Sequence, residues 1–201
     1  SRSCPMIRSC VLRLAGLMAA LSSLAGCDSS LGPEARLPPE TQTLLETDRG
    51  SYVLHRSVYW EERKDETRVW FETRIPYSFR NESGAPVSLL NCRGAFGHHL
   101  EYWSGDAWIP AWWPVQFQCL SPPIVIAQEA TVVDTLWVGG FAPGVSALPQ
   151  FHQADPTGIY RIVWDDAYHG YHDFDGESWG SQLSLEQRVS NWFRLKVEDA
   201  E

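Results

Sequence analysis

The segment 165–177 contains the residues whose types best suit chemistry. Its carboxylates and imidazoles are Asp165, Asp166, His169, His172, Asp173 and Asp175. Carboxylate oxygens suit calcium and imidazoles suit zinc or copper, so the segment is a candidate site for a divalent metal. Residues 173–176 lack the third acidic position and the distant glutamate of a calcium loop. A solvated acidic loop between the last two strands is therefore the simpler interpretation, and we expect no cofactor.

A second imidazole pair, His98 and His99, is adjacent in sequence. Neighbouring side chains of a strand point to opposite faces of the sheet, so these two rings cannot easily bind one ion. We therefore expect one buried and one exposed histidine here, and no metal site.

Tryptophan is unusually frequent, with ten in 201 residues. Four of them crowd one short stretch and form the candidate binding surface: Trp103, Trp108, Trp112 and Trp113. Exposed indoles can stack on sugars or anchor a peptide, whereas buried indoles would simply fill a tryptophan-rich core. Trp112-Trp113-Pro114 does not alternate as a strand does, so we expect at least one of these rings at the surface.

Local motifs of catalysis are missing from the sequence. There is no G-x-S-x-G elbow, no phosphate-binding P-loop and no HExxH zinc motif. A pair of catalytic carboxylates stays open, since such residues can lie far apart in sequence. We predict that the protein is not an enzyme.

The elements that must position these residues have a dominant β-strand pattern. Residues 52–60 are rich in β-branched and aromatic side chains, and residues 67–79 alternate between polar and apolar ones. Pro76 cannot donate to a strand ladder, so it marks a bulge, an edge or a switch of strand partner. At the C-terminus we predict a short turn or helix near 184–188 and a strand at 189–197.

About seven to nine strands with frequent turns, and no long helix, predict an all-β fold. The turn Phe79-Arg80-Asn81-Glu82-Ser83-Gly84 resembles one that is common in bacterial immunoglobulin-like domains. Residues 158–162 and 189–193 are similar to the last two strands of those domains. The resemblance covers most of residues 52–197 and implies an immunoglobulin-like antiparallel β-sandwich.

The N-terminal segment is organised like an export signal, because three arginines precede an apolar run over 14–25. The run is shorter than the ~20 apolar residues of a spanning helix. It leads into Leu24-Ala25-Gly26-Cys27, which resembles the lipobox of bacterial lipoproteins. The resemblance covers residues 6–27 and implies cleavage before Cys27 and lipidation of its sulfur. The alternative is an ordinary signal followed by an incidental cysteine.

These patterns divide the chain into a signal peptide at 1–26, a flexible tether at 27–48 and a sandwich domain at 49–201. Glycine, proline and polar residues dominate the tether. The alternative is an ordered arm that packs on the domain from Thr43 onward.

Two of the five cysteines precede the cleavage site, and Cys27 would carry the lipid. Cys92 and Cys119 remain, and an even pair in an exported protein predicts a disulfide.

Loss of three arginines with the signal lowers the formal net charge from −9 to −12. Such an acidic domain argues against a nucleic-acid partner and against electrostatic docking on anionic lipid. We therefore expect a non-catalytic lipoprotein of the cell envelope, anchored in the bilayer through acylated Cys27, that binds a protein or peptide partner. The alternatives are a carbohydrate or peptidoglycan module, a sandwich-type protease inhibitor that uses loop 141–157, and an envelope metal-binding protein.

Overall fold

The computed structural model describes residues 36–115, 121–170 and 180–200. In these ranges the chain forms twelve strands and one four-residue helix, and two sheets pack as a β-sandwich. The predicted all-β, immunoglobulin-like class is confirmed. The elements are β1 (Leu45–Thr47), β2 (Ser51–Glu61), β3 (Glu66–Arg80), β4 (Val87–Cys92), β5 (Ala95–Phe96), β6 (His98–Trp103), β7 (Trp108–Trp112), β8 (Ser121–Ile126), β9 (Thr131–Phe141), β10 (Gly158–Trp164), β11 (Ala167–His169), α1 (Leu185–Arg188) and β12 (Phe193–Asp199). The number of strands exceeds our expectation because β1, β5 and β11 are too short to show an alternating pattern.

The larger sheet has eight strands in the order β1-β3-β2-β12-β10-β6-β7, with β9 also paired to β3. The smaller sheet pairs β11, β5 and β8 with β4. Within the described ranges the strand pairs are antiparallel except for β2 and β12, which run parallel over residues 51–56 and 194–199. The predicted antiparallel arrangement therefore holds with one exception.

Aromatic side chains fill much of the space between the sheets. The largest fully buried ones are Trp112, Trp164, Tyr160, Phe79, Phe151 and Phe193. The ring centroids of Phe79 and Phe96 lie 4.6 and 5.3 Å from that of Trp164. Burial of one large apolar side chain stabilises a folded protein by roughly 1.5–3 kcal/mol. These buried rings therefore contribute to the stability of the core.

Asn81 holds the turn that resembles those of immunoglobulin-like domains. Its side chain is fully buried and donates to the carbonyl oxygens of Ala85 at 2.8 Å and Ile126 at 3.0 Å. Its own carbonyl oxygen accepts from the Ser83 hydroxyl at 2.6 Å. One amide therefore fixes the turn after β3 and ties it to the end of β8.

Pro76 lies where β3 changes neighbours. Residues 66–72 pair with β2, and residues 77–79 pair with β1. The Pro76 carbonyl accepts a hydrogen bond from the Asp48 N–H at 3.1 Å. The hydrogen-bonding edge of the Pro76 backbone therefore faces the end of β1 and not β9. The missing N–H costs no ladder bond there. Of the three predicted roles, a switch of strand partner is confirmed.

Strand β1 lies inside the segment 27–48 that we predicted to be a tether. Leu45 is fully buried, and the Thr43 hydroxyl donates to its carbonyl oxygen at 2.9 Å. The sandwich therefore begins before residue 49, as in the alternative of an ordered arm, because a core position for one leucine outweighs the polar composition around it. The predicted signal peptide and Cys27 lie outside the described residues.

The C-terminal prediction holds in part. The Ser184 N–H donates to the Gln187 side chain at 3.1 Å in a capping box, and α1 follows. The last strand begins at Phe193, later than predicted, because Val189 and Ser190 form only isolated bridges. Across the described ranges, no helix has the length and hydropathy needed to cross a membrane.

Candidate functional site

The four predicted tryptophans do not form one surface. Trp112 is 1% exposed, and its indole N–H donates to the Gly139 carbonyl at 3.0 Å in the core. Trp113 follows directly, leaves the strand and is half-buried. Trp112 therefore drops out of the candidate binding surface, because neighbouring residues at a strand end point to opposite sides.

Trp103 and Trp108 face each other across the end of the β6–β7 hairpin, with ring centroids 5.3 Å apart. The Trp103 indole N–H donates to the Arg36 carbonyl at 2.5 Å, so the backbone at Arg36 lies beside this ring. The Arg161 guanidinium lies 4.6 Å from the centroid of Trp108. Both rings are half-buried and already engaged by groups of their own chain.

A row of charges runs beside these rings on the outer face of β6 and β10. Arg161 pairs with Glu101 at 2.6 Å, and the His99 Nδ1 lies 2.7 Å from an Asp165 oxygen. The other His99 nitrogen lies 3.9 Å from Glu101. We call this row of four side chains, Arg161, Glu101, His99 and Asp165, the charge row. Trp113 stacks on His99 with centroids 5.1 Å apart, and so covers one end.

The environment of His99 decides what the charge row can do. Burial lowers its pKa, but hydrogen bonds to Asp165 and Glu101 and their negative charges outweigh this and raise the pKa to about 9. At neutral pH the ring is therefore an imidazolium held between two carboxylates. An imidazolium cannot accept a proton, so His99 is unsuited to act as a general base and instead links β6 to the end of β10.

His98 points to the opposite side, as predicted for neighbours in a strand. Its Nδ1 lies 2.8 Å from the Phe96 carbonyl, and its ring stacks on Trp112 with centroids 6.2 Å apart. Burial lowers its pKa. Neither ring is well exposed, which differs from our expectation of one exposed histidine: Trp113 covers the outer one.

The candidate metal ligands are only partly within the described residues. Asp165 is engaged by His99, and Asp166 packs against Gly97 and has a pKa raised by burial and by Asp165. His169 ends β11. In the described part of the chain, no three His, Cys, Asp or Glu side chains converge to hold a metal ion.

The remaining candidate ligands, His172, Asp173 and Asp175, lie outside the described residues. The same holds for Cys119, the predicted partner of Cys92, which ends β4. The metal site and the disulfide both stay predictions.

The segment proposed as an inhibitor loop, 141–157, is anchored at both ends. The Phe151 N–H donates to the Phe141 carbonyl and the Phe141 N–H donates to the Pro149 carbonyl, both at 2.9 Å, and Phe151 is fully buried. The tip carries Leu148, which is 75% exposed. The loop leads from β9 to β10, and its middle is tied to β7 by the bridge between Phe151 and Trp112 and by the hydrogen bond from the His152 N–H to the Ala111 carbonyl.

The structure reveals an aromatic surface that the sequence did not predict. Tyr59, Trp70, Trp137 and Phe141, from β2, β3 and β9, lie together on the outer side of the larger sheet, and we call them the aromatic face. The Phe141 centroid lies 4.8 Å from Trp70 and 6.4 Å from Tyr59, and the two indoles are 6.1 Å apart. Tyr59 is 40% and Trp137 51% exposed. Strands β2 and β3 are consecutive but β9 is distant in sequence, so no local motif could have shown this face.

Both indoles of the aromatic face lie across Gly139. A Cβ atom at this position would lie 2.7 Å from ring atoms of both Trp70 and Trp137. Only a residue without a side chain lets both rings lie across the strand. A glycine in the interior of a strand is the sequence signal for such a close approach.

A cleft of about 540 Å³ adjoins Trp137. It lies where β3 changes its neighbour, because residues 66–72 of β3 pair with β2 and residues 77–79 pair with β1. Its lining residues are Arg49, Ser51, Tyr52, Val53, His55, Glu72, Thr73, Arg74 and Trp137. The volume lies within the range of ligand-binding pockets, roughly 300–1,000 Å³. The cleft combines an aromatic wall with charged side chains of both signs.

Comparison with known proteins gives no match: no protein-family model, no curated protein and no solved structure matches this chain.

Proposed function

We propose that the protein is a lipid-anchored module of the cell envelope that binds a protein or peptide partner, without catalysis, through the aromatic face. The observation that carries this proposal is the exposure of Trp137, about half of a large indole, in a face made otherwise of aromatic rings. Exposed apolar patches rimmed by polar residues mark interaction sites, and Trp, Tyr and Arg dominate binding energy at interfaces.

The shape of the aromatic face favours a polypeptide over a glycan. The planes of Trp70 and Trp137 are inclined by 37°, so they do not form a coplanar platform for successive sugar rings. The rim is polar, with His55, Glu72 and Arg74 beside the rings. An apolar centre with a polar rim is the usual anatomy of a protein interface.

The proposed lipid anchor rests on the resemblance of Leu24-Ala25-Gly26-Cys27 to a lipobox. Eight residues separate Cys27 from Arg36, which lies against Trp103. Fully extended, this stretch spans at most about 30 Å. An anchored domain would therefore stay close to the bilayer, with the Trp103 end of the sandwich at the tether.

The Cys27→Ala variant tests the anchor. We expect it to lose incorporation of a radiolabelled fatty acid and to leave the membrane fraction or accumulate as precursor, because the acylated sulfur is gone. Cys92→Ala serves as the matched control and should keep the label. Label that persists on Cys27→Ala would contradict the lipidation.

Co-purification of the acylated protein from its native envelope tests the binding surface. We expect the double variant Tyr59→Ala/Trp137→Ala to lose a partner that the wild type retains, because the two most exposed rings of the face are gone. The matched control is Trp103→Ala/Trp108→Ala, which removes the same kind of side chain from the tether end. A partner lost by the control and kept by the test variant would contradict the proposal.

A further inference from the structure

The cleft beside the aromatic face contains an arginine, Arg74, that forms no ion pair within the described part of the chain. Arg49 is paired with Asp48 at 3.1 Å, whereas Arg74 forms no ion pair with any carboxylate in the described part of the chain. Arg74 and Trp137 are direct partners in the β3–β9 ladder, so the guanidinium and the exposed indole project from the same face. A cation is thus presented next to an aromatic wall.

Acceptor groups in the cleft are mostly engaged by the protein itself. The Glu72 carboxylate accepts from the Trp70 indole N–H at 3.2 Å, and the Tyr52 hydroxyl donates to Asp48 at 2.6 Å. The charged lining residues are two arginines and one carboxylate, and the pairing of Arg49 with Asp48 leaves the cleft close to neutral in a chain whose formal net charge is −9. The cleft is therefore less negative than the chain as a whole, and this contrast favours an anionic ligand group.

We propose that the cleft binds a carboxylate of the partner polypeptide through Arg74, with the apolar side chain of the same partner residue against Trp137. The planar guanidinium matches a carboxylate with two parallel hydrogen bonds. This inference rests on the proposed function and names the chemical group that is recognised at the edge of the aromatic face. A peptide C-terminus or an acidic side chain next to an apolar residue has this chemistry.

The test uses the full-length acylated protein in detergent, labelled with 5-fluorotryptophan and observed by ¹⁹F NMR. The Trp137 resonance is assigned with Trp137→Phe. Three probes are titrated: N-acetyl-phenylalanine, its amide, and N-acetylmuramic acid, which carries its carboxylate on a sugar. We expect N-acetyl-phenylalanine to shift the Trp137 resonance and to bind about fivefold more tightly than the amide, the upper range for an exposed ion pair.

Arg74→Gln should abolish the preference for the acid over the amide. Arg80→Gln is the matched control, since Arg80 lies on the same strand and pairs with Glu82 at 3.1 Å, and it should keep the preference. Equal binding of acid and amide by the wild type, or an absent shift, would overturn the inference. Tighter binding of N-acetylmuramic acid than of N-acetyl-phenylalanine would overturn the assignment to a polypeptide.

Failure of this inference is distinguishable from failure of the proposed function. If the probes give no acid preference while Tyr59→Ala/Trp137→Ala still loses the partner, only the carboxylate site is refuted. If that double variant keeps the partner, the aromatic face itself is not the binding surface.

Discussion

Two tryptophan-rich regions of this sandwich use the same side chain in opposite ways. Three indoles beside the charge row are engaged by groups of their own chain. Trp103 donates to the Arg36 carbonyl, Trp108 lies under the Arg161 guanidinium, and Trp113 stacks on His99. In the aromatic face, Trp70 and Trp137 rest on a glycine and leave one surface to solvent. Partners within the chain make the first region a structural element, whereas the second has one side free of such partners among the described residues and is the surface that we propose for binding.

The largest expected effect separates core from surface tryptophans. Trp112→Ala should lower the free energy of unfolding by about 3–5 kcal/mol, because it empties a fully buried site and removes a hydrogen bond to Gly139. Trp137→Ala is the matched control and should cost less than about 1 kcal/mol, since half of its side chain already contacts water. Urea unfolding followed by circular dichroism measures both. Equal losses would erase the distinction between the two regions.

The charge row should make stability depend on pH. The pKa of His99 is raised from its ordinary value of 6.5 to about 9 in the folded state, so its contribution is fully present below pH 6.5 and is lost as the pH rises through 9. We expect the free energy of unfolding to fall by about 2 kcal/mol between pH 6 and pH 10.

His99→Gln should flatten this pH dependence, because the amide cannot titrate. The pKa of Glu101 is lowered although burial opposes this, because His99 and Arg161 stabilise its carboxylate, so Glu101 does not titrate in this interval. Urea unfolding at each pH gives the free energies. A variant that keeps the full wild-type decline would show that the decline comes from other groups.

Gly139, beneath the two indoles of the aromatic face, should have a smaller effect on the free energy of unfolding. Gly139→Ala forces a Cβ to within 2.7 Å of both indoles, so the rings must lift, at a cost of about 1–2 kcal/mol. Gly50→Ala is the matched control, because nothing lies within 4 Å of its Cβ position. Thermal unfolding gives the stability change and tryptophan fluorescence the altered ring packing. An unchanged emission spectrum in Gly139→Ala would contradict the close contact of both indoles with Gly139.

The sequence predicted what depends on local pattern. Alternation around Val69, Phe71 and Ile75 predicted strand β3. The missing N–H of Pro76 predicted a bulge, an edge or a switch of strand partner, and Ser184 with Gln187 predicted a short capped turn or helix. Each of these follows from a few neighbouring residues. The class of fold is the sum of such signals, and it could be predicted for the same reason.

The proposed binding surface could not be predicted in the same way. Trp112 and Trp113 are neighbours in sequence. Trp112 is the last residue of β7 and is buried in the core, whereas Trp113 lies beyond the strand and is only half-buried. Tyr59 and Trp70 lie on the two consecutive strands β2 and β3, whereas Trp137 is distant in sequence and joins them only because β9 also pairs with β3. Gly139 within an apolar strand was the one local signal, since a glycine there permits a close approach that no other residue does.

Site-specific photo-cross-linking in the intact native envelope tests the central claim most directly. A photoreactive residue replaces Thr135, an exposed neighbour of Trp137 on β9, or Ala107, which is exposed near Trp103 and Trp108. We expect a defined adduct with one polypeptide from position 135 and none from position 107. A polypeptide adduct from position 107 alone would contradict it.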